Sequence, residues 1–103
     1  MSNLGFPFRP YHPGELLKEE LECRNISQKS LAKQLGIPYT AFNEVLNGKR
    51  PVSPDLALLL EASLGISAGL LARMQTDYSL QMAAQDKTLT ERLAKLRQIA
   101  AIF

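Results

Sequence analysis

Tyr39, Thr40, Asn43 and Glu44 fall on the outward side of one short stretch, and Asn47-Gly48-Lys49-Arg50 follow it at once. Hydroxyl, amide and carboxylate groups at helical spacing, closed by two cations, suit contact with a polyanion that also offers polar base edges. Two short helices joined by a glycine turn would carry this set, one entering a groove while the other braces the backbone. A plain helical hairpin with a solvated Lys-Arg pair is the competing reading.

The elements that must hold these groups are legible around them. Ser27 is a good N-cap, since its hydroxyl can accept from an otherwise unpaired amide of the first turn. Leu31, Ala32 and Leu35 give the following helix a narrow apolar face, with Lys29, Lys33 and Gln34 toward water. Ala32 is small enough for a close helix crossing. Gly36 stands where a helix commonly ends in a left-handed residue, and Pro38 suits the first turn of the next helix. Phe42, Val45 and Leu46 supply the inward face of that second helix, which Asn47-Gly48 ends.

Charge placement agrees with the spacing. The chain carries a formal net charge of only +2. Within residues 24–51, five cations (Arg24, Lys29, Lys33, Lys49 and Arg50) stand against Glu44 alone. Residues 13–23 are acidic, with Glu15, Glu19, Glu20 and Glu22 against Lys18. A local basic face on a nearly neutral chain is the footprint of a modest nucleic-acid contact whose affinity falls as salt rises.

Other chemistries find little support. His12 is the single histidine and precedes a proline at a helix start, while Cys23 is expected inside an apolar face as a small filler. No nucleophile–base pair follows from these residues, so no catalytic residue is assigned and no enzyme is expected. The glutamates at 19, 20 and 22 lack histidines beside them and read as a solvated helix face, with no metal and no cofactor expected. One cysteine permits no internal disulfide, which is compatible with a reducing cytoplasm. No apolar run approaches the ~20 residues of a membrane span, and the N-terminus lacks a secretion-signal layout.

The 103 residues, 46% hydrophobic and 21% charged, suit one folded core with an almost wholly helical plan. Residues 1–11, with Phe6, Pro7, Phe8, Pro10 and Tyr11, read as an extended arm. A first helix begins at His12-Pro13-Gly14-Glu15 in a capping-box pattern and buries Leu16, Leu17 and Leu21. A fourth opens at Ser53-Pro54-Asp55, buries Leu56, Leu59, Leu60 and Leu64, and ends at Gly65. Ile66 and Leu71 bracket cap Ser67 of a fifth helix, which runs to about Ala84. A last helix follows Thr88-Leu89-Thr90-Glu91, another capping-box pattern, with a seam of Leu89, Leu93, Leu96, Ala100 and Phe103 widened by Ile99 and Ile102. That basic amphipathic helix can dock on its own core, on a second copy, or on another protein. The expected organisation is an arm over 1–11, a helical DNA-binding and dimerisation domain over 12–86, and the amphipathic helix over 87–103.

The His-Pro-Gly-Glu opening, Ile26-Ser27-Gln28, Leu31-Ala32, Leu35-Gly36-Ile37, Asn43-Glu44, Asn47-Gly48-Lys49-Arg50 and Ser53-Pro54-Asp55-Leu56-Ala57 together resemble the HigA/VapI-type antitoxins. These belong to the lambda-repressor-like (Xre-type) helix-turn-helix proteins, and the likeness covers about residues 9–84. The resemblance implies an all-α, five-helix domain with an additional C-terminal amphipathic helix. It also implies a cytoplasmic homodimer that represses its own operon at an inverted-repeat operator and neutralises a RelE-like mRNA-cleaving toxin. An Xre-type regulator without a toxin is the alternative. In the resembling fold the third helix enters the major groove. Tyr39, Thr40, Asn43 and Glu44 then face bases, although Glu44 can equally hold Arg50 or Lys33 in place. Ser27, Gln28, Asn47, Lys49 and Arg50 face phosphates. The motif's two half-sites imply a dimer, whose interface is expected at Leu71, Met74, Tyr78 and Met82 on the fifth helix unless that stripe is monomer core.

Overall fold

Serine hydroxyls start three of the helices. Ser27 Oγ accepts from the Ser30 N–H, Ser53 Oγ from Leu56 and Ser67 Oγ from Leu70, at 3.1–3.3 Å. The computed structural model describes residues 9–101, and every regular element among them is an α-helix. There are six: α1 (Pro13–Cys23), α2 (Gln28–Leu35), α3 (Tyr39–Leu46), α4 (Pro54–Leu64), α5 (Ala68–Ala84) and α6 (Lys87–Ala100). Among the described residues, no helix is long and apolar enough to cross a membrane.

Burial of the five amphipathic faces against one another holds the fold together. Leu17 of α1, Leu31 of α2, Phe42 and Leu46 of α3, Leu60 of α4 and Leu71 of α5 are essentially inaccessible to solvent. Ala32 is equally buried, as a small residue at a close crossing should be, and α2 packs against both α3 and α4. Gly36 ends α2 at φ +73°, a backbone conformation that L side chains rarely adopt, and the Ile37 N–H returns to the Ala32 carbonyl to close the turn.

Five expectations need correction. Cys23 is exposed, because it lies about 200° around α1 from buried Leu21. Pro38 caps α3 and does not occupy its first turn, since its ψ of 139° is extended while its carbonyl accepts from the Phe42 N–H. Leu59 is exposed on α4, where Ala57 takes a buried place beside Leu56 and Leu60. Asp86 caps α6 by accepting from the Thr88 and Leu89 amides, which displaces the Thr88 capping box. Thr90 instead turns its hydroxyl back to the Asp86 and Ala84 carbonyls.

The fifth correction concerns the stripe on α5. Leu71 is fully buried in its own chain, in the same core as Ile66, so it offers nothing to a second copy. Met74 and Tyr78 are half-buried, and only Met82 of that stripe is exposed. The apolar surface emerges further along instead. Leu80 and Met82 on α5 are 55% and 44% exposed, and Leu96 and Ile99 on α6 are 57% and 48% exposed. Helix α6 packs on α5, buries none of its residues and belongs to a molecule 56 Å long but only 24 by 22 Å across. Ile102, Phe103 and the arm up to Phe8 lie outside the described residues.

Candidate nucleic-acid interface

Helix α3 has eight residues and divides cleanly. Phe42, Val45 and Leu46 anchor it in the core, while Tyr39 and Thr40 are exposed and Asn43 and Glu44 half-exposed. Its polar side does not stand as isolated groups. Lys18 Nζ of α1 donates to Asn47 Oδ1 at 3.2 Å, and Asn47 Nδ2 donates to Asn43 Oδ1 at 3.1 Å. Asn43 Nδ2 in turn donates to Gln28 Oε1 of α2 at 3.2 Å. This line of side-chain bonds ties three helices together across the surface and fixes the orientation of both carboxamides. Each carboxamide keeps a second N–H and a second lone pair for an incoming partner.

At the other edge, Glu44 Oε1 accepts from Nε and Nη2 of Arg50 at 3.0 and 2.7 Å. In the free protein Glu44 thus holds Arg50 through Oε1. The Lys29 ammonium lies 5.5 Å from the centroid of the Tyr39 ring, a cation–π distance that orients both side chains at the start of α3. Lys49 and Arg50 are exposed just past the helix end. The Gly48 and Lys49 amides return to the Val45 and Glu44 carbonyls, giving this turn a defined backbone.

The opening of α1 seats α3. The His12 backbone N–H donates to the Glu15 carboxylate while His12 Nδ1 accepts from the Gly14 N–H at 2.8 Å, completing the capping box. Gly14 lies so close to the end of α3 that a Cβ there would overlap the Val45 carbonyl oxygen. The positive end of α1 thus meets a carbonyl of the last turn of α3, a favourable pairing of helix ends.

The helix-turn-helix family model matches residues 17–71, more than half the chain. The chain belongs to the helix-turn-helix family. Among curated relatives, virulence-associated protein I of Dichelobacter nodosus is 42% identical over 77 residues, which are 74% of this chain and 71% of that protein. A HigA-family addiction module antidote protein from Coxiella burnetii superposes with a TM-score of 0.74 at 36% identity, covering 85% of this chain and 95% of that one. Pseudomonas aeruginosa antitoxin HigA, solved with higBA promoter, gives a TM-score of 0.70 at 33% identity, over 88% of this chain and 91% of that one.

Within this helix-turn-helix, the structure brings Gln28, Asn43 and Asn47 into one bonded line and pairs Glu44 with Arg50. Ser27 uses its oxygen to cap α2, which leaves its hydroxyl proton free to donate outward. Lys18 was missed by sequence reasoning, because its link to Asn47 spans 29 residues and no periodicity reports it. Arg24 was counted with the basic face, yet its Nη1 donates to the Leu64 carbonyl at 2.7 Å and its guanidinium pairs with Glu20. It closes the C-terminus of α4 and contributes little to that face.

Proposed function

We propose that this chain is a sequence-specific DNA-binding antitoxin of a type II toxin-antitoxin system. As a homodimer it binds an inverted-repeat operator in its own promoter and represses its own operon. It also neutralises a RelE-like mRNA-cleaving toxin. The observation that carries the DNA reading is the division of α3, whose apolar side is core while its polar side is exposed and bonded into a fixed row.

In this reading the start of α3 enters the major groove. Tyr39 and Thr40 face base edges and thymine methyls, and the spare N–H and lone pair of Asn43 address adenine. Glu44 Oε2 accepts from a cytosine amino group while Oε1 keeps Arg50 in place. Gln28 and Ser27 at the N-terminus of α2 and Asn47, Lys49 and Arg50 after α3 take phosphates, which position the helix without reading sequence. The HigA solved with promoter DNA supports this arrangement. The similarity to an antidote protein and to a second solved antitoxin, GraA, supports the toxin partnership.

Residues 12–86 carry the DNA-binding unit, and the exposed apolar side of α5 and α6 pairs two copies so that two α3 helices meet successive half-sites ~34 Å apart. Exposed Met82 on α5, with Leu96 and Ile99 on α6, replaces Leu71 as the centre of that interface.

The test uses fluorescence anisotropy with the chain's own promoter duplex and a scrambled duplex, together with co-expression beside the neighbouring reading frame. Preference for the promoter and rescue of growth from a RelE-like neighbour are expected. Promoter preference without any toxin to rescue would leave a regulator alone, and equal binding to both duplexes would remove the operator reading.

A further inference from the structure

His12 touches more of the molecule than a helix cap requires. Its ring is buried, and Nδ1 is committed as acceptor to the Gly14 N–H. In the neutral ring the proton then sits on Nε2. Gly48 lies beside the ring, so that a Cβ there would stand 3.7 Å from His12 Cβ and Cγ. Tyr78 of α5 meets the ring edge-on, with centroids 4.8 Å apart and planes at 78°. The Arg50 backbone lies near enough to act on the ring electrostatically, opposing the effect of its burial. One imidazole thus joins the start of α1, the turn after α3 and the middle of α5.

We propose that His12 is the positioning residue of the Gly48–Arg50 turn, holding the Lys49 and Arg50 backbone where their side chains meet phosphate before a duplex arrives. The proposal rests on the DNA-binding reading of α3 and adds to it the means by which the phosphate clamp is preorganised. A turn fixed in advance loses less freedom on binding, so its contacts convert more fully into affinity. Gly48 and Lys49 amides bonded to α3 carbonyls fix one side of the turn, and the imidazole wedged against Tyr78 fixes the other.

His12→Asn separates this role from capping, because asparagine retains a capping acceptor but lacks the ring that stands against Gly48 and Tyr78. Amide hydrogen exchange in the duplex-free protein is measured first, and the Gly48 and Lys49 amides of the variant are expected to exchange ~10-fold faster or more while α1 stays protected. Promoter-duplex titrations over a salt series then compare His12→Asn, Arg50→Ala and the double variant. His12→Asn is expected to weaken binding and shrink the salt slope, and adding it to Arg50→Ala to cost less than about twofold more. Unchanged exchange at Gly48 and Lys49, or losses that simply multiply in the double variant, would overturn the proposal. Should His12→Asn not fold, Tyr78→Leu removes the opposite wall of the ring. Faster exchange at the same two amides is expected there, and unchanged exchange counts against His12. A wild-type protein that binds no duplex refutes the DNA reading alone, since the exchange measurement judges His12 without DNA.

Discussion

Glu44 and Arg50, six residues apart, share a single carboxylate oxygen: Oε1 receives both Nε and Nη2 of the guanidinium. Both side chains are about half-exposed, so the pair contributes little to folding, on the order of 0–1 kcal/mol. Its consequence is directional. The acid holds a cation at the edge of α3 while presenting a second oxygen outward. Glu44→Gln is therefore expected to leave the thermal midpoint nearly unchanged. The same change should tighten binding to scrambled duplex, because a negative charge leaves the face that meets phosphate. The ratio of promoter to scrambled affinity, read by anisotropy, is expected to fall.

Arg50→Ala and Thr40→Ala should fail differently. Losing a phosphate contact weakens binding to any sequence and flattens the dependence of log K on log salt by about one unit. Losing a base contact costs ~1–3 kcal/mol on the operator and little on scrambled DNA. Asn43→Ala is expected to join Thr40→Ala in sequence preference, with some loss of order at Gln28 and Asn47, its two bonded neighbours. Parallel losses on both duplexes for all three variants would contradict the assignments.

Gly14→Ala is expected to be costly although it adds one methyl group. The added carbon meets the Val45 carbonyl, a backbone atom that cannot turn aside as a flexible side chain would. A destabilisation of ~1–3 kcal/mol or more is expected from such overpacking, read as a lower denaturant midpoint with unchanged slope. An unchanged midpoint would show that α1 can shift away from α3 freely.

Acidification tests the buried imidazole. Burial pushes the His12 pKa down, more than the Arg50 backbone and Glu15 raise it. The unfolded chain therefore takes up a proton near the ordinary value of about 6.5 while the folded chain resists. Stability is expected to be full above that pH and to decline as pH falls through it. Facing the ring are Glu15 on its own helix, Tyr78 on α5 and the Arg50 backbone. Glu15 adds a separate, more acidic step, because Arg9 holds its carboxyl below the usual range and that stabilisation is lost as pH falls through the lowered value. Thermal melts at several pH values should show His12→Asn lacking the upper step alone. A parallel decline in both proteins would assign that step elsewhere.

Removing residues 87–103 probes the second copy. Helix α6 buries none of its residues, so the five-helix core is expected to melt almost as before. Sedimentation at micromolar concentration is expected to shift from dimer to monomer, and a truncated protein that remains dimeric would move the interface to α5 alone.

Local signals in the chain reported most of the fold. Ser27, Ser53 and Ser67 each cap the helix expected of them, and Gly36 and Gly65 end α2 and α4 in left-handed conformations. What escaped is non-local. The same 3.6-residue period fits a stripe that faces its own core and one that faces a partner, so spacing leaves both open for Leu71, which lies fully inside. Thr88 carries a good capping pattern, but Asp86 offers an equivalent oxygen two residues earlier and takes the position. In the candidate interface, residue types and outward faces were readable from spacing. The bonds that orient them were not: Lys18 to Asn47, Asn43 to Gln28 and the His12 ring to Gly48 all join separate helices or turns.

The central claim is that the outward side of α3 meets a duplex. Nuclear magnetic resonance titration of labelled protein with its promoter duplex tests it most directly. The largest shifts are expected at Gln28, from Tyr39 to Glu44 and from Asn47 to Arg50, with α4 little changed. Shifts concentrated on α4 or α6, with Thr40 and Arg50 unmoved at saturation, would contradict it.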